Sequence, residues 1–198
     1  MGRRQADIIK NLADKEIIFH LYLTQVILLF VSFGLGFFLF DDWSSFLELW
    51  KWKDWNILII GSTFALAVVF IDMLLIKSLP EAMYDDGGIN ERIFQRRSIT
   101  HIFVLCLLIS FSEEILFRGV IQTHFGLIVA SIVFALLHVR YLHKWVLLTS
   151  VIVLSFLLGY IYDVYQNLWI TVYAHFLIDF ILAVKLRMDF LKNPKREV

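Results

Sequence analysis

Two carboxylates stand side by side, Glu113 and Glu114, inside the apolar run Ile109-Ser110-Phe111-Ser112-Glu113-Glu114-Ile115-Leu116-Phe117-Arg118-Gly119. On a helix, Glu114 and Arg118 fall one turn apart on one face and can pair. Glu113 is turned about 100° away from that bond, which leaves it available for proton transfer. Two further pairs share the one-turn spacing: Phe134 with His138, and His175 with Asp179. A carboxylate one turn from an imidazole fixes the ring's tautomer and orientation. A Glu and two His, supported by Asp179, Glu114 and Arg118, have the groups needed to activate a water and stabilise an oxyanion, as amide hydrolysis requires. The same Glu113, His138 and His175 could instead ligate a zinc ion carrying the attacking water. No His-Glu-x-x-His helix signature is present to favour zinc, so both chemistries stay open.

The elements that must hold these groups follow from composition. The chain has 198 residues, 60% hydrophobic and 18% charged, with a mean hydropathy of +0.75. Soluble domains sit near 45–50% apolar and about 25% charged. These values argue against a soluble globular enzyme, a disordered chain and a nucleic-acid-binding module; 18 basic residues balance 18 acidic ones, so no global field draws polyanions. The single cysteine, Cys106, excludes an internal disulfide and a cysteine-built zinc site. The expected class is all-α, a polytopic transmembrane helix bundle of about six spans surrounded by membrane lipids.

At about 20 apolar residues per crossing, the spans are expected over 17–40, 56–79, 101–122, 126–141, 145–162 and 168–186, the fourth being short for a full crossing. One membrane domain over 1–198 would then comprise two N-terminal spans (17–79) and a four-helix core (100–186). The apolar run after Arg3, Arg4, Lys10 and Lys15 is too long for a cleaved signal and reads as a retained anchor. Trp43, Trp50, Trp52 and Trp55 suit a membrane–water interface. The latter half of the polar segment from Pro80 to about Thr100, with Ile89, Ile93 and Phe94 among Arg92, Arg96 and Arg97, reads as a short amphipathic surface helix. With the N-terminus inside, fifteen Lys and Arg fall on inner segments against Lys51 and Lys53 outside. That bias predicts both termini in the cytoplasm of an integral, cell-membrane protein. Ionisable groups in three core spans of one small protein default to function rather than to packing.

Other polar residues have plainer readings. Asp72 near Lys77 suits snorkelling or helix pairing, His124 a solvated loop, and His20, His101 and His143 the wet ends of spans. Cys106 reads as a packing residue.

Glu113-Glu114-x-x-x-Arg118, followed by Phe134-x-x-x-His138 and His175-x-x-x-Asp179, resembles the CAAX-protease and bacteriocin-processing family (the Abi, or type II CAAX prenyl endopeptidase, superfamily). The likeness covers about Thr100 to Leu186; the first two spans match nothing in it. It implies an intramembrane endopeptidase, often labelled a metalloprotease, acting on a membrane-associated protein or peptide, with CAAX-like sequences among the candidates. By that resemblance Glu113 activates water with His138, and His175 and Asp179 stabilise the oxyanion or position substrate. Many relatives carry Asn where Asp179 stands. Glu114, Arg118 and Phe134 would be supporting residues, and a metal, if used, would sit on Glu113, His138 and His175. Some members serve instead as scaffolds or as immunity and resistance factors. A proton-coupled carrier is a third class that buried Glu, His and Asp would suit, although inverted repeats and broken helices are not evident.

Overall fold

The computed structural model describes residues 12–138, 141 and 144–192. Arg3, Arg4, Lys10, Arg140, His143, Lys195 and Arg196, used above for orientation and span ends, lie outside them. The described residues form helices and no strand. These are α1 (Asp14–Leu39), α2 (Trp43–Leu47), α3 (Asn56–Ser78), α4 (Glu81–Tyr84), α5 (Ile89–Phe94), α6 (Ile99–Glu114), a π-helical segment (Ile115–Gln122), α7 (Thr123–Leu137), α8 (Trp145–Tyr165) and α9 (Leu168–Lys192). Local chemistry sets several boundaries. Asp42 accepts from the Ser45 N–H to cap α2, Ser98 accepts from the His101 N–H to cap α6, and Pro80 follows the end of α3.

Five stretches are long and apolar enough to cross a membrane: α1, α3, the continuous run 99–137, α8 and α9. Their large apolar side chains face outward along much of their length, among them Phe30, Phe37 and Phe38 on α1, Phe70 on α3 and Ile128 on α7. Only lipid makes such a surface favourable. This is an integral membrane protein.

The run 99–137 is two helices. Gly126 has φ 82° and ψ 169°, a backbone region essentially confined to glycine. Beyond it the chain doubles back. The rings of Phe117 and Phe134 lie 4.8 Å apart, whereas seventeen residues of straight helix would separate them by about 25 Å. Leu116, Phe117 and Ile121 from one arm pack on Ala130 and Phe134 from the other. The hairpin supplies the sixth apolar helix, so the expected count of about six is met, with the break at Gly126, where the fourth span was expected to begin. Gly126→Ala is expected to lower stability by about 1–3 kcal/mol, read as a lower thermal midpoint in detergent. An unchanged midpoint would mean that the hinge relaxes into a conformation open to every residue.

The most extensive helix pair is α3 with α9, where Ala65 and Val69 close on Ile178 and the Gly61 backbone meets the Tyr173 ring. A Cβ at Gly61 would come within 2.6 Å of that ring, so the glycine permits the approach. Asp72 is half-buried on α3, within electrostatic reach of Lys185 on α9. Cys106 is fully buried among Ile102, Leu105 and Ala183, a packing residue as expected.

Candidate active site

The acidic pair sits where α6 gives way to the π-helical segment. The change of ladder is visible at Thr123, whose N–H and hydroxyl both reach back five residues to the Arg118 carbonyl. Single π-helical turns are uncommon and concentrate at functional sites. Here the widened turn carries Arg118 into the bundle, 1% exposed, with Nε 3.3 Å from Glu114 Oε2. Glu114 is fully buried. The guanidinium also donates from Nη2 to the Ser155 carbonyl at 3.0 Å and lies 5.2 Å above the Phe134 ring. A buried ion pair needs such extra partners to offset its desolvation. The pairing of Glu114 with Arg118 is thus as the spacing predicted.

His175 projects from α9 and is 4% exposed. Its Nδ1 donates to Glu114 Oε1 at 2.9 Å, while Nε2 stands 3.6 Å from Asp179 Oδ2. The expected partner, Asp179, is present at one turn, but Glu114 on a different helix makes the shorter bond. Glu114 therefore joins the Arg118 and His175 motifs into one assembly. Thr171, a turn before His175, is fully buried and donates its hydroxyl to the Leu168 carbonyl.

Glu113 differs from its neighbour. It is half-buried and makes no hydrogen bond or ion pair with the described residues, while lying within electrostatic reach of His175 and Asp179. His138 is just past the end of α7 rather than inside a fourth span running to Tyr141. The chain leaves helical geometry there, with φ −90° and ψ 34°. Its Nδ1 donates to the Phe134 carbonyl at 2.9 Å, and the imidazole lies against the Phe134 ring at 4.6 Å. A carbonyl only accepts, so the proton of a neutral ring is on Nδ1 and the lone pair on Nε2. Glu113 precedes the Gly126 hinge by 13 residues and His138 follows it by 12, so the two arms carry them to similar depth. The short helix thereby accounts for the depth of His138. No direct bond joins Glu113 to His138.

As a test for zinc, Glu113, His138 and His175 do not form a donor set. Among the described residues no three His, Cys, Asp or Glu converge on one point.

Several polar residues around the site have no motif of their own. Ser155 holds Arg118, and Gln122 donates to the Gly159 carbonyl and to Asp163, both at 2.7 Å. Gln25 on α1 accepts from the Ser112 hydroxyl at 2.6 Å, fastening the first span beside the acidic pair. Fully buried Asn167 clasps the loop before α3, donating to the Lys51 carbonyl and to Asp54 while accepting from the Lys51 N–H. That amide holds the Asp54 carboxyl below the usual carboxylate range. A lone Ser, Gln or Asn in an apolar helix gives little signal in sequence. Of the remaining histidines, His124 donates to the Val120 carbonyl and packs on Phe40, so it is not a solvated loop residue, and His101 bonds the Tyr22 hydroxyl.

A sequence model of the family described as type II CAAX prenyl endopeptidase Rce1-like matches residues 95–181, the stretch that holds all three motifs. The chain is also 45% identical over 175 residues to the uncharacterized protein YpbD of Bacillus subtilis (strain 168), covering 88% of this chain and 93% of that one. No solved structure matches it significantly.

Proposed function

The chain belongs to the CAAX-protease family, in its type II CAAX prenyl endopeptidase (Rce1-like) branch, and on that premise we propose that it is an intramembrane endopeptidase. Its reaction is hydrolysis of a peptide bond in a membrane-associated protein or peptide, CAAX-like sequences included. One observation carries this reading: Glu113 makes no hydrogen bond or ion pair with the described residues, at the depth of His138 and within electrostatic reach of His175 and Asp179.

In the proposed mechanism a water sits between Glu113 and His138. Glu113 takes its proton as the oxygen attacks the scissile carbonyl, and His138 Nε2 orients the same water. His175, steadied by Glu114 and Asp179, presents its ring to the oxyanion. Glu113 then returns the proton to the leaving amine. Arg118 acts through Glu114 and does not touch substrate. Both termini lie in the cytoplasm, at the cell membrane, in keeping with the fifteen-to-two distribution of basic residues.

The experiment is a mass-spectrometric survey of peptide termini in membranes from cells with the wild-type chain or Glu113→Gln at matched abundance. Termini that disappear in the variant establish proteolysis and identify substrates. Identical termini, at a depth that detects known processing events, transfer the fold to a scaffold role. Because the donor geometry favours a metal-free site, cleavage of an identified substrate is expected to survive prolonged treatment with 1,10-phenanthroline. Loss of activity restored by added zinc would overturn that part.

A further inference from the structure

Three arginines meet at the end of the bundle where α6 begins. Arg96 and Arg97 follow the short helix α5, whose Ile89, Ile93 and Phe94 are buried and hold it against the core. Arg187 reaches across from α9 and donates to the Arg97 carbonyl. Arg97 donates from Nε to the Ile93 carbonyl, and the Arg96 guanidinium rests 5.7 Å above the Phe190 ring. These contacts fix the three side chains without neutralising them. Among the described residues none of the three pairs with a carboxylate, and Asp189, the acid near Arg187 on α9, is taken by Lys185 at 2.7 Å. Three cationic side chains at one end of the bundle, without a carboxylate counter-ion among the described residues, are stabilised by an anion.

Below the arginines the surface is apolar and open. Phe103 on α6 is 44% exposed and meets Phe176 and Phe180 of α9 at 5.1 and 5.8 Å between ring centres. Ile99 and Val104 extend the same exposed strip. On α9 the positions 176, 180 and 187 share one face, so the seam between the helices has aromatic walls and arginine at its end. Phe180 is seven residues from Arg187, about 10 Å along the axis. A phospholipid requires this arrangement, a phosphate at the interface and a chain lying a few ångströms deeper.

We infer that the seam between α6 and α9 binds one anionic phospholipid, its phosphate among Arg96, Arg97 and Arg187 and one acyl chain along Phe103, Phe176 and Phe180. Such a lipid would tie α5 and the start of α6 to α9, the two helices that contribute Glu113 and His175. The inference rests on the membrane-spanning fold alone and is independent of catalysis.

The test places the full chain in nanodiscs of equal phosphatidylglycerol and phosphatidylcholine, then releases it for native mass spectrometry. The wild type is expected to retain phosphatidylglycerol in preference to phosphatidylcholine. That preference falls about fivefold for each arginine changed to Gln, and the triple variant Arg96→Gln, Arg97→Gln, Arg187→Gln loses it. Lys51→Gln with Lys53→Gln, at the opposite end, leaves it unchanged. Phe103→Ser weakens retention as well, which a site for the headgroup alone would not show. Should the triple variant fail to fold, Arg96→Gln serves, its side chain being exposed. Equal retention of the two lipids by the wild type, or a preference unaltered by Arg96→Gln, overturns the inference.

Discussion

Replacing Arg118 with Met is expected to destabilise the protein by about 3–5 kcal/mol, the range found when one partner of a buried ion pair is removed. The side chain is 1% exposed and its partner Glu114 fully buried, so the variant leaves a carboxylate in the bundle interior with His175 as its hydrogen-bond partner among the described residues. The Ser155 carbonyl loses its donor at the same time. A second variant separates charge from packing. Glu114→Gln combined with Arg118→Met removes both charges, and Gln can still accept from His175 Nδ1. The double variant should therefore lose clearly less than Arg118→Met alone, since an apolar or neutral replacement for both partners avoids the uncompensated charge. Thermal unfolding in a single detergent, followed by tryptophan fluorescence, makes the comparison. A single variant no less stable than the double would show that the pair is solvated in the native state and would remove Arg118 from its supporting role.

How much of this was legible beforehand depended on the range of each interaction. Apolar run length located α1, α3 and α8 to within a few residues and the start of α9, which runs on past the expected end at 186 to Lys192, because burial in lipid is a sum over local sequence. One-turn spacing gave Glu114 with Arg118 for the same reason. The Gly126 break fell at an expected boundary, but the consequence for His138 did not, since α7 stops at Leu137 and the imidazole lies in a turn past it. The π-helical segment has no sequence signature: its shifted ladder is stabilised by what Arg118 gains in reaching Ser155 and Phe134, both distant in sequence. Likewise the preference of His175 for Glu114 over Asp179 follows from how α6 and α9 pack. Asn167 and Gln25 show what the first two spans contribute, which no motif in them announced: each ties N-terminal chain to a core element bearing site residues.

The adjacent carboxylates supply the sharpest contrast, because the structure assigns them opposite circumstances one residue apart. Among the described residues Glu113→Gln takes away no hydrogen bond and no ion pair, so its thermal midpoint is expected to match the wild type. It also removes the group that accepts the water's proton in the proposed mechanism, and cleavage should fall by about 10²–10⁴-fold, the usual contribution of a positioned general base. Glu114→Gln does the reverse. It leaves the Arg118 guanidinium buried without its counter-charge, which lowers the midpoint, while the proton-accepting carboxylate stays in place. Its residual cleavage, measured below its own midpoint on a substrate from the survey of termini, should exceed that of Glu113→Gln by at least about tenfold. His138→Ala belongs with Glu113→Gln on both readouts, and a double variant of the two should be scarcely slower than either alone, because residues that act on one water are not additive. Wild-type rates for Glu113→Gln would end the proposed mechanism outright. Equal loss from Glu113→Gln and Glu114→Gln, with equal midpoints, would mean that the two carboxylates act as a single unit and that the division of labour drawn from their partners is wrong.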